Sequence, residues 1–236
     1  MSDNYGWQPL HMAAWNEKQA MVRLLLSRGA NIHAESDTRQ TALHWAAWNG
    51  DDNTLRELIS WRADIEAEVD LYRWKPLHLA SSDGHETTVG LLLDHGSKCE
   101  ARDSFLQTPL HTASSEGHTN TVRLLLDRGA DIEAKNISHQ RPLHLAALDG
   151  HTDTVRLLLD RGADIEAEDV SRQRPLFLAT SNWHEDTVRL LLDRGADIEA
   201  EDISCQRPLY QASVDRHDGI IRLFLERGAT TKRRKL

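Results

Sequence analysis

The chain has 236 residues, 39% of them hydrophobic and 28% charged, an ordinary composition for a water-soluble chain long enough for one large domain or two small ones. Its formal net charge of −9 argues against nucleic-acid binding and against an anionic membrane surface, since both need a basic face. No apolar run approaches the ~20 residues of a membrane span, no basic start leads into an apolar leader, and Cys99 and Cys205 form neither a disulfide framework nor a CxxC site, so the expectation is a reducing location, cytoplasmic or nuclear.

Internal periodicity decides the architecture. A "PLH"-type motif places its leucine at Leu10, Leu43, Leu77, Leu110, Leu143, Leu176 and Leu209, in steps of 33, 34, 33, 33, 33 and 33 residues. Each motif opens a short alanine-rich segment, followed by an apolar segment such as "TVRLLLDRGA" and then "DIEA". Within one unit, Pro142 suits the first position of a helix, where its missing N–H is not needed. "LHLAALDG" then runs about two turns to Gly150. A second helix carries Val155, Leu158 and Leu159 at i, i+3 and i+4, an amphipathic face, and Gly162 supplies a left-handed terminator. Two short helices cannot bury that face alone, so neighbouring units must stack.

The stretch "TPLHTASSEGHTNTVRLLLDRGADIEA" (Thr108–Ala134) resembles the ankyrin repeat over nearly its whole frame. Seven such units cover almost all of the chain, at about 1–34, 35–67, 68–101, 102–134, 135–167, 168–200 and 201–231, with a basic tail at 232–236. The resemblance implies an all-α solenoid of stacked helix-turn-helix units with projecting hairpin-like loops, and a concave face lined by loop tips and first helices. It also implies that the two histidine columns are structural: His11, His44, His78, His111 and His144 after the motif leucine, and His85, His118, His151, His184 and His217 at the start of the second helix. Equivalent residues of adjacent units lie ~10 Å apart, as packed helices do, which is too far for a shared zinc ion.

Several positions depart from the family frame. Only Gly6 keeps the glycine expected four residues before the motif leucine; Arg39, Arg73, Leu106, His139, Arg172 and Cys205 stand there in the other units. The helix-capping threonine survives as Thr41 and Thr108, with Gln8, Lys75, Arg141, Arg174 and Arg207 in its place elsewhere. A lost cap costs ~1 kcal/mol unless replaced, and the arginines are expected to pair with loop carboxylates such as Asp169 and Asp202. The third unit has one extra loop residue, and Trp61-Arg62 replaces the usual Arg-Gly turn, which marks the junction of the second and third units as the weakest. At the ends, Met21, Val22, Leu25, Ile221, Phe224 and Leu225 carry no evident polar replacement. That leaves three readings: a longer parent chain, end-to-end association, or inward-facing side chains.

Family binding positions, the loop tips and the fifth and sixth residues after the motif leucine, carry over in chain order as follows. The first unit presents Tyr5, Trp7, Trp15 and Asn16. The second presents Asp37, Thr38, Gln40, Trp48 and Asn49, with Trp45 on nearly the same helix face as Trp48. The third presents Leu71, Tyr72, Trp74, Ser82 and Asp83, and the fourth Phe105, Gln107, Ser115 and Glu116. Later units have no aromatic residue at these positions. Six of the seven tryptophans fall within the first 74 residues, and tryptophan and tyrosine dominate interface hot spots. The residues 135–167 and 168–200 match at 23 of 33 positions, with "DTVRLLLDRGADIEA" identical in both, so the outer helix repeats as scaffold while the groove side varies.

The expectation is therefore a non-enzymatic scaffold or adaptor that takes a protein or peptide, with apolar anchors and basic flanks, on Tyr5, Trp7, Trp15, Trp45, Trp48, Asn49, Tyr72, Trp74 and Phe105. Trp45, in a column usually held by leucine, is the member of that set expected in the core. No HExxH, P-loop or GxGxxG motif occurs, and the acidic "GADIEAED" loops lack EF-hand spacing, so no metal, cofactor, nucleic acid or membrane is expected. A monomer is expected, with a self-associating assembly module or the ankyrin segment of a larger signalling protein as the alternatives. "KRRKL" resembles a short nuclear-import signal.

Overall fold

The computed structural model describes residues 5–69 and 71–230, so the basic tail at 232–236 lies outside the described residues. Those residues contain fourteen α-helices and no strand. They pair as short first and longer second helices: α1 (Pro9–Trp15) with α2 (Gln19–Ser27), α3 (Ala42–Asn49) with α4 (Asp52–Ser60), α5 (Pro76–Ser82) with α6 (Glu86–Asp94), and α7 (Pro109–Ser115) with α8 (Thr119–Asp127). The series continues through α9 (Pro142–Leu148) with α10 (Thr152–Asp160), α11 (Pro175–Ser181) with α12 (Glu185–Asp193), and α13 (Pro208–Val214) with α14 (Asp218–Glu226).

The helices fall into two compact units, the first made of residues 1–113 and 120–131 and the second of 114–119 and 132–236. In the first, α1 stacks on α3 and α3 on α5, while α2 stacks on α4 and α4 on α6. In the second, the same two columns run α9, α11, α13 and α10, α12, α14. The periodicity explains the stacking. Motif leucines such as Leu43 and Leu143 are buried between alanines small enough to let the first helices approach, and pairs such as Leu55 with Leu58 or Val155 with Leu158 close the core from the second helix. Of the end residues, Val22 and Phe224 face inward, whereas Met21 and Leu225 are exposed.

The histidine after the motif leucine accepts the backbone N–H of the residue that starts the helix, whether that residue is the threonine or its replacement. In the fifth repeat the Arg141 N–H donates to His144 Nδ1 at 3.1 Å, which puts the ring proton on Nε2, and Nε2 donates to the Ala167 carbonyl at 3.0 Å. His11 does the same between Gln8 and Ala34, at 2.9 and 2.8 Å, and His44 between Thr41 and Ala67, at 3.1 and 2.9 Å. Each ring ties a helix start to the end of its own unit 23 residues on, and the pattern needs the neutral ring. Burial accordingly pushes the His44 and His144 imidazoles down to about 4. Phe177 and Tyr210 occupy this column in the last two units, which therefore lack the tie.

The expected pairing of the arginines with Asp169 and Asp202 does not occur. Those aspartates cap their own hairpins: Asp169 Oδ1 accepts the Ser171 and Gln173 N–H groups at 2.8 and 2.9 Å, and Asp202 Oδ1 accepts those of Ser204 and Gln206 at 2.8 Å each. A short aspartate beside a turn satisfies its own backbone first. Arg174 pairs instead with Glu166 at 2.6 Å, Glu168 at 3.2 Å and Asp197 at 3.3 Å. Arg207 pairs with Glu199 and Glu201, Arg141 with Glu133 and Asp164, and Lys75 with Glu66 and Glu68.

All six non-glycine hairpin tips are left-handed, from Arg39 at φ +60° to Cys205 at φ +55°, and so is Arg62 at φ +64°. The extra residue of the third unit sits in its hairpin. The Val69 N–H reaches the Trp74 carbonyl five residues on at 3.0 Å, where Ser36 and Asp103 reach only four, to Gln40 and Gln107. The wider tip leaves Leu71 80% exposed.

Candidate aromatic groove

Two aromatic clusters form in the first compact unit. In one, Trp45 is the hub: its ring centroid lies 4.6 Å from Trp7, 5.0 Å from Trp15 and 5.9 Å from Trp48, nearly parallel to the last. Trp45 is 7% exposed, while Trp15 and Trp48 remain 42% and 41% exposed. The leucine column thus carries a core tryptophan on which two half-exposed ones lean.

The second cluster is built on hairpins. Tyr72 lies 6.5 Å from Trp74 and 6.1 Å from Phe105. A buried aspartate fixes the Trp74 ring and the backbone that carries Phe105. Asp103 Oδ2 accepts the Trp74 indole N–H at 3.0 Å, and its Oδ1 accepts the Phe105 and Gln107 N–H groups at 2.8 Å each. Below them, His78 stacks on Trp74 with centroids 6.4 Å apart and bonds the Gln107 carbonyl at 3.3 Å.

Between the clusters lies a groove of about 740 Å³. Trp48 enters it from the end of α3, Tyr72, Trp74 and Leu71 from the third hairpin, and Phe105 from the fourth. Val69, Leu79, Thr38, Gln40, Asp103 and Gln107 complete the lining. That volume falls in the range of pockets that bury small ligands or side-chain anchors.

Of the nine residues expected to bind a partner, Trp48, Tyr72, Trp74 and Phe105 come together in this groove, and Trp7, Trp15 and Trp45 adjoin it through Trp48. Tyr5 is 73% exposed on the first hairpin, where its carbonyl accepts the Asp37 N–H at 3.1 Å. Asn49 donates its side-chain amide to the Trp15 carbonyl at 2.7 Å, linking α3 to α1. Sequence reasoning did not reach Val69, Leu79 or Asp103. Asp103 had a readable signal, since Asn136, Asp169 and Asp202 occupy the same place in later units and cap their hairpins alike. Among the described residues no cluster of His, Cys, Asp or Glu could hold a metal ion, and no helix is long and apolar enough to cross a membrane.

The chain is similar in structure to the ankyrin repeat domain of human ASB11, with a TM-score of 0.87 at 23% sequence identity, over 96% of this chain and 100% of that one. At that identity the likeness speaks for the fold alone. No curated protein matches the sequence significantly. The family model described as "Ankyrin repeats (3 copies)" matches residues 1–69, 43–136 and 143–235. Stacked helix pairs, projecting hairpins and these matches over almost the whole length agree: the chain belongs to the ankyrin repeat family.

Proposed function

We propose that this protein binds an extended segment of a partner protein in the groove between Trp48 and the Tyr72–Trp74–Phe105 cluster, with apolar side chains as anchors. Ankyrin repeats are generally protein–protein interaction modules, and the fold is typically non-enzymatic. The observation that carries the finer reading is the exposure of large rings around one cavity: Trp48 is 41%, Phe105 46% and Tyr72 53% exposed. Rings of this size bury much area with few rotors to freeze, which makes them efficient anchors. Basic flanks on the partner suit a chain of net charge −9.

The test is selection from a displayed library of random twelve-residue peptides, with wild type and Trp48→Ala/Tyr72→Ala as baits of equal helicity by circular dichroism. The expected result is an enriched motif with apolar anchors on wild type that the double variant does not retain. Equal enrichment on both baits, or none on either, would overturn the assignment.

A further inference from the structure

The groove has an electrostatic character that a purely apolar anchor does not use. Among its described lining residues the only formal charge is the Asp103 carboxylate, which is 2% exposed. Its hydrogen-bond partners are an indole N–H and two backbone amides, all neutral, and no lysine, arginine or histidine is among the described residues that line the cavity. A buried negative charge behind aromatic walls is complementary to a cation, because low-polarity surroundings leave its field poorly screened. The bond from Trp74 adds to this. An indole that donates its N–H to a carboxylate gains electron density, and the ring face is the surface on which cations bind.

We infer that the Trp48–Tyr72–Trp74–Phe105 cavity is an aromatic cage for a methylated lysine side chain of the bound segment. The inference rests on the groove being the segment-binding site. Methylation follows from the hydrogen-bond inventory. An unmodified ammonium brings three N–H donors and strong hydration, and must find acceptors on entering. Both Asp103 oxygens are already engaged, and the Gln40 side-chain carbonyl accepts the Thr38 hydroxyl at 3.0 Å. The cavity therefore offers charge and ring faces with few free acceptors, which suits a trimethylammonium group that has no N–H to satisfy. The ring orientations are compatible: Tyr72 stands at 54° to Trp74 and 35° to Phe105, as neighbouring walls, and Trp48 lines the same cavity.

The experiment titrates the 15N-labelled full chain with three probes, the N-acetyl methylamides of Nε-trimethyl-lysine, of lysine and of the neutral tert-butyl isostere, and follows the tryptophan indole N–H resonances. The expected result is a saturable shift of the Trp48 and Trp74 signals, with trimethyl-lysine binding about tenfold more tightly than either control. Asp103→Asn removes the charge and keeps the hairpin, since Asn136 caps the equivalent turn through two bonds of 2.9 Å, but its amide nitrogen cannot accept the Trp74 indole N–H; the two losses together are expected to weaken binding several-fold, and Tyr72→Ala to abolish it. Equal binding of lysine or of the isostere, or indifference to both substitutions, overturns the cage. A display-selected peptide that needs Trp48 and Tyr72, with no response to trimethyl-lysine, overturns the cage and leaves the groove standing. Failure of both removes the groove as well.

Discussion

The imidazole of His184 lies directly over Gly150, and its Nε2 donates to the Leu148 carbonyl at 2.9 Å. Gly150 is left-handed at φ +77°, and a Cβ on it would overlap the ring. The same pairing joins His151 to Gly117 and His85 to Gly50, with bonds to the Ser115 and Trp48 carbonyls at 2.7 and 2.8 Å. Where the glycine is missing, the partner turns to its own helix. Trp183 stands left-handed in the glycine position, and His217 Nδ1 accepts the Ile220 N–H at 3.4 Å. Glu17 stands there in the first unit, and Asp51 caps α4 by accepting the Thr54 N–H at 3.2 Å. Glycine and histidine thus form one device that welds successive units.

Gly150→Ala is expected to destabilise the protein by about 2 kcal/mol, from left-handed strain and the lost inter-unit hydrogen bond together. Urea unfolding measures it. Trp183→Gly is the converse and should stabilise the last junction, with His217 moving onto the Ser181 carbonyl. A neutral Gly150→Ala would show that the ring contact contributes little.

Acid should unfold the protein through the histidines after the motif leucine. The imidazoles of His44 and His144 titrate at about 4 in the fold, against an ordinary 6.5 when unfolded. Between those values the unfolded chain takes up protons that the native chain refuses, so stability is complete above about pH 6.5 and falls as the pH drops towards 4. From pH 7.5 to pH 5 each ring should remove about 2 kcal/mol. Paired carboxylates such as Glu57 and Glu68, held below the usual range by hydrogen bonds from Arg23 and Arg73, lose their contribution only at lower pH. His144→Gln should lower stability at pH 7.5 and reduce the further loss at pH 5 by about 2 kcal/mol. An unchanged loss in the variant would exclude His144 as the sensor.

The arginine cap column calls for a separate test. Arg174 is 22% exposed, and burial pulls its guanidinium down less than Glu168, Glu166 and Asp197 together hold it up. Arg174→Thr restores the hydroxyl that Thr108 uses, at 2.9 Å to His111 Nδ1, but no histidine follows Arg174 and three carboxylates lose their cation. A net loss of about 1 to 2 kcal/mol is expected, recovered in part by Glu166→Gln in the same chain. A stabilised single variant would show that the carboxylates do not need the guanidinium.

Much of this is legible in the sequence, because a 33-residue period fixes helix pairing, and one leucine column fixes which faces are buried. The groove was legible in part. Trp48, Tyr72, Trp74 and Phe105 stood at binding positions, and the hairpin cap of Asp103 was readable from its equivalents, yet nothing local says that Asp103 would also hold the Trp74 ring, since a side-chain bond 29 residues apart depends on how hairpins stack. The arginine partners were misplaced for a related reason. An aspartate two residues from a turn amide is captured by it before a neighbouring guanidinium can compete. Trp45 was identified with the core from its column, whereas its role as hub for three other rings came only from packing.

Arg62 tests where the array is weakest. It occupies the left-handed position at φ +64° that Gly29, Gly96 and Gly129 fill elsewhere. Arg62→Gly should stabilise by about 1 kcal/mol, because the side chain no longer opposes the conformation. Hydrogen exchange should show α4 and α5 gaining protection before α1. A gain spread evenly over the chain would mean that the junction is not the site of local opening.

The tryptophans separate packing from binding. Trp45 fills the core, with Leu43, Ala46 and Ala47 buried beside it on α3, and Trp45→Ala should cost about 3 to 5 kcal/mol. Trp48 keeps 41% of its surface in solvent and contributes its carbonyl, not its ring, to the bond with His85. Trp48→Ala should therefore change stability by less than about 1 kcal/mol, as surface truncations do, while removing a wall of the groove. Paired denaturation and peptide-binding measurements on the two variants decide the matter. If Trp48→Ala unfolds the protein as readily as Trp45→Ala, the ring is packing, and the groove loses the residue that closes its side towards α3.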